Sequence, residues 1–566
     1  MKTTKNIARL AATAGLTAAL SFGGVMAPVA MAFAEDAAAT ANGSVTITNV
    51  EGNHTEFDGY QIFKADVATV EGKTVVSNIT WANGSVKAAV EGVIKNEELT
   101  YKGKTAQDAA DWITDKVTGT NDTYRVGPDN IAYKIAAAVD DLTDKKTTSA
   151  GVASGLEHGY WLFVTDAGTI GDGEAGTSPI FTVVGSTPVN VNEKTGIPTV
   201  EKKIVSDADS KEHDAADSQI GQDVTYNLYG TVAENFDKYD TYFYKFSDQI
   251  SKGLTLQTGA KIYLYKNKDD AKGDLTRAKG MDITAHFKVE TPAEAAEDGS
   301  KTTTWTCDNL KKVSGVTKDS YIVVSYKAQI NNEAVIAGDK SNDNTVTLHY
   351  SNNPMTSERG ETKPDTVKDY TYGLKINKVD LGTEKALEGA RFTIQATTAD
   401  DVASTNLYVQ DNGSLGETPK EFVTNGEGII EVTGLDAGTY TVTEVSAPSG
   451  YAKVDPFTFE IKPSMKDDDP DTGLTGLTGE LTTGQGDKVI AGLTYGDTGD
   501  NSLTVKPGSE KTDGIFNITV GDTKQIGLPL TGLNGVTFTW IAGGAVLCVG
   551  VAHLIRSRKR DDGSEE

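Results

Sequence analysis

Short runs of alternating apolar and polar residues recur along this chain, and they constrain its fold more than any other feature. "VTYNLYGTV" (224–232), "YIVVSYKAQI" (321–330) and "NTVTLHY" (344–350) each set every second side chain on one face. Successive side chains of a strand point to opposite sides, so each run buries one face and leaves the other in water. "GSVTITNV" and "YQIFKADV" carry the pattern early, and "YGLKINKVD", "ARFTIQA", "GTYTVTEV", "PFTFEI" and "GIFNITV" carry it late. The chain therefore reads as mainly β. Two early segments differ. "TAQDAADWITDKV" and "PDNIAYKIAAAVDDLTDK" space apolar residues three or four apart, which predicts a short helical insertion.

At 566 residues the chain is long enough for several cores. The runs divide into tandem β-sandwiches of immunoglobulin-like shape. Residues 35–190 form a first domain with the helical insertion, and 191–354 a middle sandwich. Residues 355–369 read as a polar linker, and 370–523 as a last sandwich. The Gly-rich "GLTGLTGELTTG" at 473–484 reads as a flexible loop. The net charge of −27 argues against nucleic acid as a partner, because phosphate binding needs clustered Lys and Arg. Regular alternation argues against disorder, the other reading of an acidic chain.

Both termini carry apolar segments. Lys2, Lys5 and Arg9 precede an apolar stretch that ends in Ala32-Phe33-Ala34, a small-x-small cleavage pattern, so residues 1–34 read as a secretory signal. Of the two cysteines, Cys548 lies in the carboxy-terminal apolar run, which leaves Cys307 without an intrachain disulfide partner in the exported part. Residues 536–555 are long enough to cross a bilayer, and the tail at 556–566 begins with Arg556, Arg558, Lys559 and Arg560. Just before the span stands Leu528-Pro529-Leu530-Thr531-Gly532. This order of LPxTG, apolar span and basic tail resembles the cell-wall sorting signal of Gram-positive surface proteins. The resemblance implies that a sortase cuts between Thr531 and Gly532, and that the membrane holds the chain only until then.

"GTYTVTEVSAPSGY" at 438–451 resembles the E-box of Gram-positive pilins and of collagen-adhesin B-type (CnaB) domains. Tyr440, Glu444, Ala447-Pro448 and Gly450-Tyr451 match, and Val445 stands where Thr is usual. Alternation sets Tyr440, Val442 and Glu444 on one face. A glutamate there is costly as an ion and is expected to hold its proton. The family uses such an acid to promote an amide between a buried Lys on the first strand and an Asn or Asp on the last. The resemblance assigns Lys375 as nucleophile and Asn517 as acceptor. Alternation disagrees: it puts Lys378, not Lys375, with Leu374 and Ile376, and it puts Asn517 opposite Phe516 and Ile518. A bulge in the first strand would reconcile the two.

"PTVEKKIVS", "YKFSDQISKGLTL" and "SNDNTVTLHYSNNP" resemble the isopeptide-forming domain of the collagen-adhesin A type (CnaA) found in backbone pilins. The matching positions are Lys202, Asp248 and Asn344, with Lys203 and Asn342 as the nearest rivals. Here alternation agrees. Lys202 is in phase with Val200 and Ile204, Asp248 with Phe246 and Ile250, and Asn344 with Val346 and Leu348. Polar groups so placed are expensive unless they meet.

The connection "EKTGIPTVEK" resembles the backbone-pilin segment whose lysine attacks the sortase-bound thioester of another subunit, which assigns Lys194 as the polymerising residue. Glu193 replaces the family's proline, and its tyrosine is absent. The whole chain thus resembles a major fimbrial subunit. The implied partners are a pilus sortase and a housekeeping one, further copies of itself, minor tip and base pilins, peptidoglycan and host surface ligands. The implied location is the cell wall, after transient membrane retention. No cofactor, metal site or hydrolase triad is legible, and the chain does not read as an enzyme. A wall-anchored monomeric adhesin is the alternative reading.

Overall fold

An alternating strand needs a second layer to cover its apolar face, and in the computed structural model that cover is found by stacking sheet on sheet. The structure describes residues 42–525, apart from 71–72, 118–129, 194, 293, 337–339, 400–405, 468–472, 483–489, 496–497, 501 and 506–513. The signal segment, Lys194, the LPLTG motif, the apolar span and the basic tail lie outside the described residues. Among the described residues no helix is long and apolar enough to cross a membrane.

The first region is layered. A three-stranded sheet (Gly43–Thr48, Val152–Leu156, Val189–Asn192) faces a five-stranded sheet built around Phe57–Val70 and Gly159–Thr165. Val45, Ile47, Phe57, Trp161 and Phe163 fill the space between them. Helices cover the other side of the larger sheet. Ala106–Val117 and Ile131–Val139 fall where the spacing predicts them. Thr105 and Asp108 exchange hydrogen bonds at the start of the first of these, as a capping box. A third helix, Gly84–Glu97, has its own signal, which the reading from pattern overlooked. Asn83 caps it, and Val86, Val90 and Ile94 recur every four residues on its buried side.

The middle sandwich has two seven-stranded sheets. One holds Val200–Val205, Asp223–Thr231 and Tyr321–Ile330 as neighbours in that order. The other holds Asp365–Tyr370, Asn342–Ser351, Tyr244–Ile250 and Lys301–Cys307 as neighbours. The segment expected as a linker, 355–369, is instead part of this second sheet. Residues Arg359–Glu361 and Asp365–Tyr370 both pair with Asn342–Ser351. Its polar composition hid a strand whose buried positions are only Val367, Asp369 and Tyr370.

In the last sandwich, Tyr372–Asp380 runs parallel to Ile515–Lys524 in one sheet, and Arg391–Ala399, Gly438–Ser446 and Phe457–Lys466 form the centre of the other. The segment 473–484, expected as a loop, supplies the strand Gly473–Thr482, paired with Phe457–Lys466. Leu474 and Leu477 are an odd number of residues apart, yet both are buried. The register shift between Ser464 and Met465 supplies the extra residue that lets both face inward.

The middle and last sandwiches are docked. Ala215–Asp217 pairs with Asp365–Tyr370, and the chain beyond it enters the last sandwich. Gln219 Nε2 donates to the Gly434 carbonyl at 2.8 Å, and its Oε1 accepts from Asp436 N at 3.1 Å. Ile220 lies so close to Gly434 (φ +86°) that a Cβ there would stand 2.1 Å from Ile220 Cδ1.

Asp369 sits beside this junction, fully buried, with Tyr226 O–H donating to it at 2.9 Å. Burial lifts its carboxyl from 3.8 to about 8, against the hydrogen bonds from Ser218 and Tyr226. The folded chain therefore keeps a proton that the unfolded chain releases. This contribution is complete below the ordinary carboxylate value and is lost as pH rises through about 8. Asp369→Asn, which is neutral at every pH, should match wild type near pH 4 and become the more stable of the two as pH rises toward about 8, as read by urea unfolding across that range.

Candidate functional site

Two lysines are fully buried in the described residues, Lys202 and Lys378, one in each of the last two sandwiches. Burying an ammonium ion costs several kcal/mol even after relaxation, unless charge and hydrogen bonds meet it. Both clusters supply such partners.

In the middle sandwich, Lys202 and Tyr326 rise from one sheet, and Asp248 and Asn344 from the facing sheet. Lys202 Nζ donates to Asp248 Oδ1. It also donates to the Tyr326 hydroxyl at 3.0 Å. That hydroxyl donates to Asp248 Oδ2 at 2.5 Å and accepts from Asn344 Nδ2 at 2.7 Å. Asn344 Oδ1 is buried without a hydrogen-bond partner. Tyr226 stacks on Tyr326 with ring centroids 5.5 Å apart, Trp305 packs against Tyr326 from 5.4 Å, and the amine lies over both tyrosine rings. Burial pulls the Lys202 amine below the usual lysine range, and the Asp248 carboxylate only partly opposes this. A share of neutral, nucleophilic amine follows.

The three residues assigned from the sequence thus meet, and the rivals do not join them. Lys203 is half-buried and pairs with Asp214 at 2.5 Å. Asn342 is spent on backbone: it accepts from Val335 N at 2.9 Å and donates to the Asp369 carbonyl at 3.2 Å. Tyr326 was missed. It is in phase with Val324 and Ala328 in its strand, so nothing in the pattern separates it from an ordinary core aromatic.

In the last sandwich the residues that meet are not those assigned by resemblance. Lys378, Glu444 and Asp522 converge with almost no exposure. Lys378 Nζ lies 3.1 Å from Glu444 and in direct contact with Asp522 Oδ1. Glu444 also accepts from Val454 N at 2.8 Å. Burial raises the Asp522 carboxyl to about 6, although Lys378 pulls the other way. Lys375 and Asn517 sit opposite one another in the parallel ladder, half-buried on the other face of the same sheet. No bulge occurs between Tyr372–Asp380 and Ile515–Lys524. Phase therefore holds without interruption: Leu374, Ile376 and Lys378 point inward, as do Phe516, Ile518, Val520 and Asp522. Continuing that count would have found Asp522.

The third assigned lysine, Lys194, and the threonine of the sorting motif, Thr531, lie outside the described residues. The neighbours of Lys194 are anchored. Glu193 is buried and accepts from Asn53 Nδ2 at 2.8 Å, and Thr195 Oγ1 donates to the Gly176 carbonyl at 3.0 Å. Cys307 is buried and free. Among the described residues no His, Cys, Asp and Glu cluster could hold a metal ion.

Removing Lys378 would leave two carboxyl groups facing each other in a dry core. Lys378→Ala should cost about 3–5 kcal/mol, whereas Lys375→Ala should stay within about 0.5 kcal/mol of wild type, both measured by chemical unfolding.

Comparison with known proteins finds a matching domain model, a relative and similar solved structures. Residues 372–472 match the SpaA prealbumin-like fold domain. The trypsin-resistant surface T6 protein of Streptococcus pyogenes serotype M6 is 26% identical over 276 residues, which are 46% of this chain. The match spans 44% of that relative, less than half its length. Among solved structures, the T6 backbone pilin of S. pyogenes aligns over 85% of this chain and 98% of its own, with 17% identity and a TM-score of 0.49. The full-length major pilin SpaD of Corynebacterium diphtheriae aligns over 86% and 98%, with 16% identity and a TM-score of 0.45. The chain is built of tandem immunoglobulin-like β-sandwiches, carries a SpaA-type domain at 372–472, and is similar to the backbone pilins of Gram-positive bacteria.

Proposed function

We propose that this chain is the backbone subunit of a covalently polymerised Gram-positive pilus, welded internally by two isopeptide bonds. The observation that carries this reading is the pair of dry clusters, each setting a lysine amine against a carboxyl or carboxamide from a distant strand. In the middle sandwich the Lys202 amine attacks Asn344 Cγ and ammonia leaves. In the last, the Lys378 amine attacks Asp522 Cγ and water leaves. Asp248 and Glu444 serve as the promoting acids. The pairing of Lys378 with Asp522 replaces that of Lys375 with Asn517, and an Asp acceptor on the last strand fits the CnaB-type pattern. Each reaction happens once per molecule, so the chain is a structural protein and not an enzyme.

Between subunits, a sortase cleaves after Thr531 and passes the new carboxyl to Lys194 of another copy. Donor and acceptor are different surfaces, so the contact is heterologous and extends as an open filament. The residues on either side of Lys194, Glu193 and Thr195, are held to the first region and its neighbouring loop by side-chain hydrogen bonds. The signal and sorting segments then give export and wall attachment. Adhesion to host ligands follows from display on the cell surface.

Two measurements test the reading. Intact mass of the full chain should fall short of its formula by about 35 Da, from one ammonia and one water. Lys202→Ala should restore about 17 Da of this and Lys378→Ala about 18 Da. Each loop closes roughly 140 residues, so losing either bond should lower stability by about 5 kcal/mol. In cells carrying the pilus sortase, Lys194→Ala should abolish the high-mass ladder on a denaturing gel. An intact ladder in the variant would assign another acceptor lysine, and no ladder from wild type would leave the chain as a wall-anchored monomer.

A further inference from the structure

The middle cluster departs from a simple amine, amide and acid in one respect. No hydrogen bond joins the promoting carboxylate to the acceptor amide; a hydroxyl stands between them. Tyr326 O–H donates to Asp248 Oδ2 at 2.5 Å, and the same oxygen receives Asn344 Nδ2 at 2.7 Å and Lys202 Nζ at 3.0 Å. It therefore touches both the attacking nitrogen and the leaving nitrogen. We propose that Tyr326 is a catalytic residue of the Lys202–Asn344 reaction, carrying a proton from the attacking amine to the departing ammonia. This rests on the isopeptide reading given above.

The step balances as follows. Asp248 first takes one proton from the Lys202 ammonium, leaving a neutral amine and a neutral acid. The amine lone pair forms the bond from Nζ to Asn344 Cγ. Nζ then gives a proton to the Tyr326 oxygen, while the hydroxyl turns and gives its own proton to Asn344 Nδ2. The bond from Cγ to Nδ2 breaks, and ammonia leaves with two protons of its own and one from Tyr326. Tyr326 ends as it began, Asp248 keeps its proton, and Nζ retains one hydrogen as the new amide.

The surroundings suit a relay. Tyr326 is 3% exposed, and its ring is held between Tyr226 and Trp305, so the hydroxyl is the part left free to turn. Burial, with Asp248 adding to it, holds the phenol well above its usual range, which keeps a proton on it for delivery. The last sandwich provides an internal control. There Lys378 contacts both carboxyl groups directly.

The test uses Tyr326→Phe in the full chain, with pulse synthesis followed by digestion and mass measurement of both cross-linked peptides. The Lys202–Asn344 peptide should form roughly 100-fold more slowly, the size of a general acid–base contribution. The Lys378–Asp522 peptide should form at the wild-type rate. Wild-type kinetics for the first peptide would overturn the proposal. Absence of that peptide from wild-type protein would overturn the isopeptide reading itself, a separate result. Should Tyr326→Phe unfold the middle sandwich, fluorotyrosine at 326 decides. A relaying hydroxyl shifts the pH profile of bond formation when its acidity is changed, and an unmoved profile overturns the proposal.

Discussion

An amine kept out of water is the interaction on which the rest of this structure depends. Lys202 and Lys378 are both fully buried, and a lone ammonium in that setting would cost more than a typical domain can spare. Each therefore demands an acid, and the acid demands a dry, closely packed surround. That requirement explains why the strands bearing Lys202, Asp248 and Asn344 keep perfect phase with their apolar neighbours. It also explains the aromatic wall of Tyr226, Tyr326 and Trp305, which excludes water and in which the two tyrosines lay ring faces toward the amine. Apolar packing and polar convergence are here one constraint, because neither survives without the other.

The two clusters solve it in different ways. In the middle sandwich the amine comes from one sheet and Asp248 and Asn344 from the other, so a bond to Asn344 would stitch the two layers together. In the last sandwich Lys378 and Asp522 lie on neighbouring parallel strands of one sheet, and Glu444 reaches in from the facing sheet. A bond there would join the entering strand to the leaving strand. On the proposed reading, tension applied between the ends would pass through these covalent links and not through ladder hydrogen bonds. That suits a chain whose one described cysteine is buried and free. The docked segment at 214–222 extends the same logic between sandwiches: Gln219 and Ile220 fill a space in the last sandwich that only a glycine at 434 leaves open.

Much of this was legible in one dimension. Alternation located the strands that carry Lys202, Asp248, Asn344 and Glu444, and the helices at 106–117 and 131–139 followed from their spacing. What misled was composition taken over pattern. The polar stretch at 355–369 hides a sheet strand, and the Gly-rich stretch at 473–484 hides another whose register shift breaks the expected count. In the last sandwich the reverse error occurred. Simple phase pointed to Lys378, and a motif alignment drew attention three residues upstream to Lys375, which the uninterrupted parallel ladder leaves on the far face.

By itself the sequence determined the class of fold, the export and sorting segments as expectations, and which polar residues share a face with apolar ones. All of these depend on neighbours within a few residues, through the two-residue period of a strand or the order of a terminal motif. Only the tertiary structure decided which of those in-phase groups meet. Lys378 and Asp522 are separated by 144 residues, and Lys202 and Tyr326 by 124. No local period relates such positions; the stacking of sheets and the pairing of first strand with last bring them within hydrogen-bonding distance.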